Sequence, residues 1–200
     1  MGASLKQIKH LKLDLSAHYE MTDLEKIGSY LGMHIVCDCS LRHSEKDQSG
    51  YVKNVLECFG MSDATPHPTP LPAGADKHLQ KHMGKASASD IMHYQSLIRS
   101  LLYVQIGTQL DISFAVSCLV QYAANPPNQH LQLAQYVLSY LVGTVDKKLV
   151  YDGTDRDGIH GYTDSSLVDQ ADDRHSTSGY EFLLANGAIS WFLQKQKTVA

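Results

Sequence analysis

The sequence predicts an α+β fold, and three stretches carry that prediction. Apolar residues recur at helical spacing through residues 91–142, beginning with a stripe of Tyr94, Leu97, Ile98, Leu101 and Leu102. From Leu149 the pattern changes to short runs of strand length, "LVYDG", "GIHGYTDSS" and "TSGYEFLLANGAISWFLQKQK". Between residues 30 and 42, "YLGMHIVCDCSLR" sets Leu31, Met33, Ile35 and Cys37 against smaller or polar neighbours, which marks a strand or hairpin arm.

Taken in order, residues 4–18 place Leu5, Ile8, Lys12 and Leu15 on one stripe, a short amphipathic helix with Ser4 as N-cap. Lys6, Lys9 and His10 lie around its other side, and the lysines Lys6, Lys9 and Lys12 are read as solvated polar positions of the helix. "DQSGYVKNVLECFGM" returns to helical spacing through Val52, Val55, Leu56 and Phe59 and ends on Gly60. The prolines of "PHPTPLP" then bar helix and central strand, so a stiff connector is expected, continued by small polar residues to about Asp90.

Residues 91–142 spell three helices, the third started by Asn128 after two prolines and stopped by Gly143. Arg99 and Asp111 are the only Asp, Glu, Lys or Arg residues in that span. So little charge predicts a unit that packs on something else. In the last block, Asn186-Gly187 between two apolar stretches predicts a hairpin. The strands from Leu149 onward are read as an antiparallel meander with one apolar face uncovered.

Composition narrows the function classes. A 200-residue chain with 43% hydrophobic and 19% charged residues has ordinary globular proportions. Its formal net charge of −4 gives no bulk attraction for nucleic acid, so any such contact needs a local basic patch. Cys37, Cys39, Cys58 and Cys118 are irregularly spaced and do not form a disulfide framework, which favours a reducing compartment. No apolar run approaches the roughly 18 residues of a membrane span. "MGASLK" lacks a signal peptide's apolar region, and Lys6 stands where a myristoylation signal requires Ser or Thr. A cytoplasmic or nuclear protein without membrane contact is expected.

Several side chains invite a chemical role. Asp164 in "GYTDSS" lies at the end of a strand, as a catalytic carboxylate does, yet it is one of seven aspartates between residues 152 and 173. His34, Cys37, Cys39 and His43 fall within ten residues, but Cys-x-Cys is tighter than the usual zinc knuckle, so half-buried strand cysteines are the preferred interpretation. His78 and His82 share helical spacing in a polar linker with no third ligand and are read as incidental. Trp191 follows the Asn-Gly turn and is expected to pack between strands rather than to stack on a base. Lys195 and Lys197 alternate onto one strand face, where they would either touch a nucleic-acid backbone or guard an edge.

The run "RHSTSGYEFLLANGAISWFLQKQKTVA" resembles the ribonuclease H region of copia-type LTR retrotransposon Pol polyproteins. Upstream, "YQSLIRSLLYVQIGTQLDISFAVS" and "QHLQLAQYVLSYLVGT" are similar to that family's segment joining reverse transcriptase to ribonuclease H. "YEMTDLEKIGSYLGMHI" and "GYVKNVLECFGM" resemble the end of its reverse-transcriptase palm and the thumb, with Leu-Gly-Met-His-Ile at the primer-grip hairpin. The resemblance implies four segments. These are a palm and thumb remnant over 1–61, a Pro-rich polar linker over 62–90, a helical connection over 91–148, and the start of an incomplete ribonuclease H-like β-meander over 149–200.

The implied parent activity is RNA-directed DNA synthesis with hydrolysis of the RNA strand of RNA–DNA hybrids, using Mg²⁺. Implied partners are that hybrid and the rest of the Pol polyprotein. The family's polymerase Tyr-x-Asp-Asp turn has no counterpart here, since the adjacent pair Asp172-Asp173 lies in the wrong region without the tyrosine. Asp164 matches the first metal-binding aspartate of ribonuclease H, and the next acid of the family set would fall just beyond Ala200. Two-metal hydrolysis needs several carboxylates, so the chain alone is expected to be inactive. Glu181, beside Tyr180 and Phe182, has no role in the family.

The sequence departs from the family after Asp164, where Ser165, Ser166, Leu167, Val168 and Asp169 stand, and over Thr108 to Ile112. In the helix that usually carries cations it has Leu131, Gln135, Tyr136, Ser139 and Val142, which removes phosphate contacts. A different class of function is a non-catalytic interaction remnant that docks a partner through the low-charge helices of 91–142.

Overall fold

Two small antiparallel sheets flank a helical core in the computed structural model, which describes residues 4–23, 26–154, 158–166 and 176–196. The first helix, α1 (Leu5–His18), opens on a reciprocal cap: Ser4 Oγ accepts the Gln7 amide, and the Gln7 side chain accepts the Ser4 amide. It is exposed along its length, and Lys12 pairs with Asp23 at 2.7 Å beyond its end.

The first sheet runs β1 (Ser29–Tyr30), β2 (Met33–Asp38), β3 (His43–Asp47), β4 (Leu149–Asp152), every neighbour antiparallel. Leu31 and Gly32 turn the chain between β1 and β2, both at positive φ. The Tyr103 hydroxyl donates to the Leu31 carbonyl and holds that turn down. Along β2 the alternation seen in sequence survives only at its start, where Met33 and Ile35 are half-buried. Cys37 and Cys39 are exposed, against expectation, and Cys39 already lies in the turn that follows β2.

α2 (Ser49–Cys58), α3 (Ala88–Gly107), α4 (Ser113–Val120) and α5 (Asn128–Val142) form the core. Most of the predicted stripes are buried, Val52, Val55 and Leu56 on α2 and Tyr94, Leu97, Ile98 and Leu101 on α3, while Phe59 and Leu102 are half-buried. Val116, Leu119, Leu138 and Leu141 meet them from α4 and α5. Residues 91–142 therefore lack charge because their apolar faces pack on one another and on α2, within this chain. Within that core the Tyr94 hydroxyl donates to the Leu119 carbonyl at 2.8 Å. No described helix is long and apolar enough to cross a membrane.

The proline-rich stretch is a strap rather than a spacer. Leu71 and Leu79 pack on the core, the His67 ring stacks on Tyr136 with centroids 3.9 Å apart, and α3 begins already at Ala88.

The second sheet is the expected meander, β5 (Ile159–Ser166), β6 (Thr177–Leu184) and β7 (Gly187–Lys195), ordered β5-β6-β7. Two expectations shift. Strand β4, assigned in sequence to this meander, joins the first sheet beside β3. The tight turn is made by Ala185 and Asn186, both at positive φ, and Leu184 pairs with Gly187. The turn slips by one residue because β4 crowds Gly187: a Cβ there would overlap the Tyr151 ring and stand 2.6 Å from the Val150 carbonyl. Hydrogen bonds from Asp152 N to Ala185 O and from Tyr151 OH to Ala188 O, each 2.8 Å, then staple the two sheets together.

Candidate functional site

Alternation along the meander decides what faces the helices. In register, Asp164 pairs with Gly179 and Gly179 with Leu193, while Tyr162 pairs with Glu181 and Glu181 with Trp191. Cross-strand partners share a face, so Asp164, Glu181, Tyr162, Trp191 and Leu193 look the same way. Trp191 fixes which way that is, because its indole N–H donates to the Gln105 carbonyl of α3 at 3.0 Å. It packs between sheet and helix, not between strands and not on open surface.

A cleft of about 260 Å³ opens on this inner face between the sheet and the start of α4. Asp164, Tyr162 and Glu181 line it from the strands, Leu110 and Ser113 from the helical side. Asp164 is exposed and Glu181 half-buried, and neither carboxylate has a hydrogen-bond or ion-pair partner among the described residues. Ser113 is buried, and its hydroxyl has no partner either.

Lys195 stands two residues beyond Leu193 on the same face and lines a neighbouring hollow of about 590 Å³ together with Asp164, Gln194 and Gln196. Its ammonium donates to Gln121 Oε1 at 3.3 Å. The structure thus brings Lys195 to the rim that Asp164 occupies. Lys197, the other candidate cation, lies outside the described residues, as do Asp172 and Asp173.

The sequence reading gave Glu181 no role and did not single out Ser113. Alternation from Thr177 would put Glu181 on one face of β6, but the pairing of β5 with β6 crosses a long connection whose length sets no register. Lys46 was also missed. Burial holds its ammonium below the usual lysine range, and it sits 5.9 Å from the centre of the Trp191 ring.

The other histidine and cysteine candidates separate. His34 pairs with the buried Asp47 at 3.1 Å, and His43 with Glu45 at 3.0 Å. Hydrogen bonds from Ser49 and the nearby His34 outweigh burial and hold the Asp47 carboxyl below the usual range. His78 lies in a short 3-10 turn at 75–78, and His82 beyond it.

No protein-family model matches the chain. No solved structure matches it. Over 205 residues spanning the whole chain it is 37% identical to the retrovirus-related Pol polyprotein from transposon TNT 1-94 of Nicotiana tabacum, covering 15% of that protein. It is 31% identical over 191 residues to the retrovirus-related Pol polyprotein from transposon RE1 of Arabidopsis thaliana, and 30% identical over 192 residues to that from transposon RE2. Those alignments take in 95% and 96% of the chain but 13% of each polyprotein. The same order of motifs thus runs through the chain and through one stretch of these much longer proteins, and the chain belongs to the copia-type retrotransposon Pol polyproteins as a segment of one.

Proposed function

We propose that the chain is the segment of such a polyprotein that closes the reverse transcriptase and opens the ribonuclease H. On this view residues 1–61 descend from palm and thumb, 91–148 from the connection, and 149–200 from the first strands of a ribonuclease H-like domain. The parent reaction is RNA-directed DNA synthesis and Mg²⁺-dependent hydrolysis of the RNA strand of a hybrid. The observation that carries the proposal is Asp164 itself: an exposed, unpartnered carboxylate within a strand of an antiparallel meander, turned toward a cleft.

The Asp164 carboxylate fits a divalent cation in kind, since carboxylate oxygens are what Mg²⁺ takes. When bound, the ion would activate water and stabilise charge on a phosphodiester. The chain's own part would be to hold the ion at the Asp164 carboxylate and to meet the hybrid's backbone with Lys195. Two carboxylates line the cleft, and two-ion hydrolysis requires more, so the 200-residue chain is proposed to be inactive alone.

Incubation of the purified chain with a labelled RNA–DNA hybrid and Mg²⁺ tests this. No cleavage is expected. A chain extended by its flanking reading frame, carrying a Tyr-x-Asp-Asp turn upstream and a Glu-bearing helix downstream, is expected to cleave and to lose cleavage in Asp164→Asn. Cleavage by the short chain that disappears in Asp164→Asn overturns its inactivity. An extended chain that cleaves equally well with Asp164→Asn overturns the assignment of that aspartate.

A further inference from the structure

We propose that the outer face of the meander pairs two copies of this chain, sheet against sheet. Alternation turns Trp191 and Leu193 toward the helices and sends Ile159 of β5, Tyr180, Phe182 and Leu184 of β6 and Phe192 of β7 to the opposite side. Ile159 opposes Leu184, and Tyr180 opposes Phe192, so the five side chains occupy neighbouring positions on three strands.

Their rings form one plate. Tyr180 is tilted against Phe182 with centroids 5.5 Å apart and stacked on Phe192 at 5.8 Å. Phe182 also lies over Gly161, where a Cβ would stand 2.6 Å from its ring. All five nevertheless stay open to water: Tyr180 is 38% exposed, Phe182 39%, Leu184 42%, Phe192 47% and Ile159 65%. Thr163, Ser165, Ser178, Ser190 and Gln194 surround them. Among the described residues no outward position of the three strands is Asp, Glu, Lys, Arg or His. An aromatic centre without charge inside a polar rim is the anatomy of a protein interface.

Charge and area select a second copy as what covers this face. An unlike partner is steered and chosen largely by complementary charge, and the face has none to offer, whereas two uncharged faces meet without repulsion. At about 200 Å² for each large side chain, the five leave roughly 450 Å² in contact with water. With the rim, two copies would bury on the order of 1,000 Å², enough for a weak dimer and too little for an obligate one. Sheets pack face to face about 10 Å apart with their strands nearly aligned, a geometry that an identical meander supplies. A two-fold arrangement centred on Tyr180 and Phe182 uses the same patch on both copies and stops at two. The pairing lies on the side away from Asp164 and does not rest on the function proposed above.

Sedimentation velocity of the 200-residue chain tests this, from roughly 1 to 100 μM, the range in which a small interface associates. The chain is expected to pass from monomer to dimer and no further. Phe182→Ser and Phe192→Ser are each expected to weaken association about tenfold or more, since aromatic anchors carry most of an interface's energy. Leu11→Ser removes an equally exposed apolar side chain from α1 and should change nothing. Thr163→Lys, at an exposed position of the face, should keep the chain monomeric at low salt. Mixing it with Thr163→Glu should restore the dimer. Circular dichroism checks that each variant keeps the fold.

A wild-type chain that stays monomeric throughout leaves the face to an unlike partner and overturns the proposal. Association that survives both phenylalanine variants, that falls equally in Leu11→Ser, or that continues beyond two copies overturns it as well. So does a mixture of Thr163→Lys and Thr163→Glu that stays monomeric while either variant alone does.

Discussion

The Gln48 carboxamide fills the space beside Gly107 that a Cβ would need, and this contact ties the start of α2 to the end of α3. Gln48 Nε2 donates to the Tyr103 carbonyl at 3.3 Å, and Thr108 Oγ1 donates to Gln48 Oε1 at 3.0 Å. Gln48 and Thr108 are buried, so the amide has no water to fall back on.

Gly107→Ala would gain roughly 1 kcal/mol of helix propensity but displace that amide from both bonds. A net loss of about 1–2 kcal/mol is expected by urea denaturation, because a buried unpaired amide costs more than the helix gains. Gln48→Ala in the same background should remove most of the penalty of Gly107→Ala, a coupling that a double-mutant cycle measures.

Gly187→Ala tests the staple between the sheets. The added methyl meets the Tyr151 ring and the Val150 carbonyl, groups that cannot both retreat. Overpacking of this kind costs roughly 1–3 kcal/mol. The same change at Gly60, which has open space around it, is expected to act through its positive φ alone.

Tyr94→Phe keeps the ring in the core and removes only the donor to Leu119 O. A loss of about 1–2 kcal/mol is expected, since the carbonyl is left without that bond inside the protein. Burial, then the neighbouring Tyr122, pushes the pKa of the Tyr94 phenol up from its usual value.

His130 sets an acid limit. It is 2% exposed, and burial, then the neighbouring His82, lower its pKa from 6.5 to about 4. Between those values the unfolded chain takes up a proton that the folded chain refuses. Stability therefore falls as pH drops through that window, by about 3 kcal/mol in all. Denaturation midpoints measured from pH 7 down to pH 4 should show this slope, and His130→Leu should flatten it.

Much of the helical core is legible in the sequence, because each helix buries one stripe and a period of 3.6 residues writes that stripe into local spacing. Ser4 as a cap is legible for the same reason, since capping involves a residue three positions away. The slip of the turn to Ala185-Asn186 was not, because it answers to Tyr151 and Val150, some thirty-five residues earlier in the chain. The exposure of Cys37 likewise is a tertiary fact, since alternation along a strand does not say which face is covered.

By itself, the sequence determined the helix stripes, the strands of the meander and the run of motifs shared with Pol polyproteins, and it singled out Asp164. Only the tertiary structure decided that β4 leaves the meander for β3, that the proline-rich stretch straps the core, and that Glu181 and Ser113 face the cleft beside Asp164. The division is physical. Periodicity and capping act between residues a few positions apart, whereas sheet register and cleft walls arise from pairings whose partners are far separated in the chain.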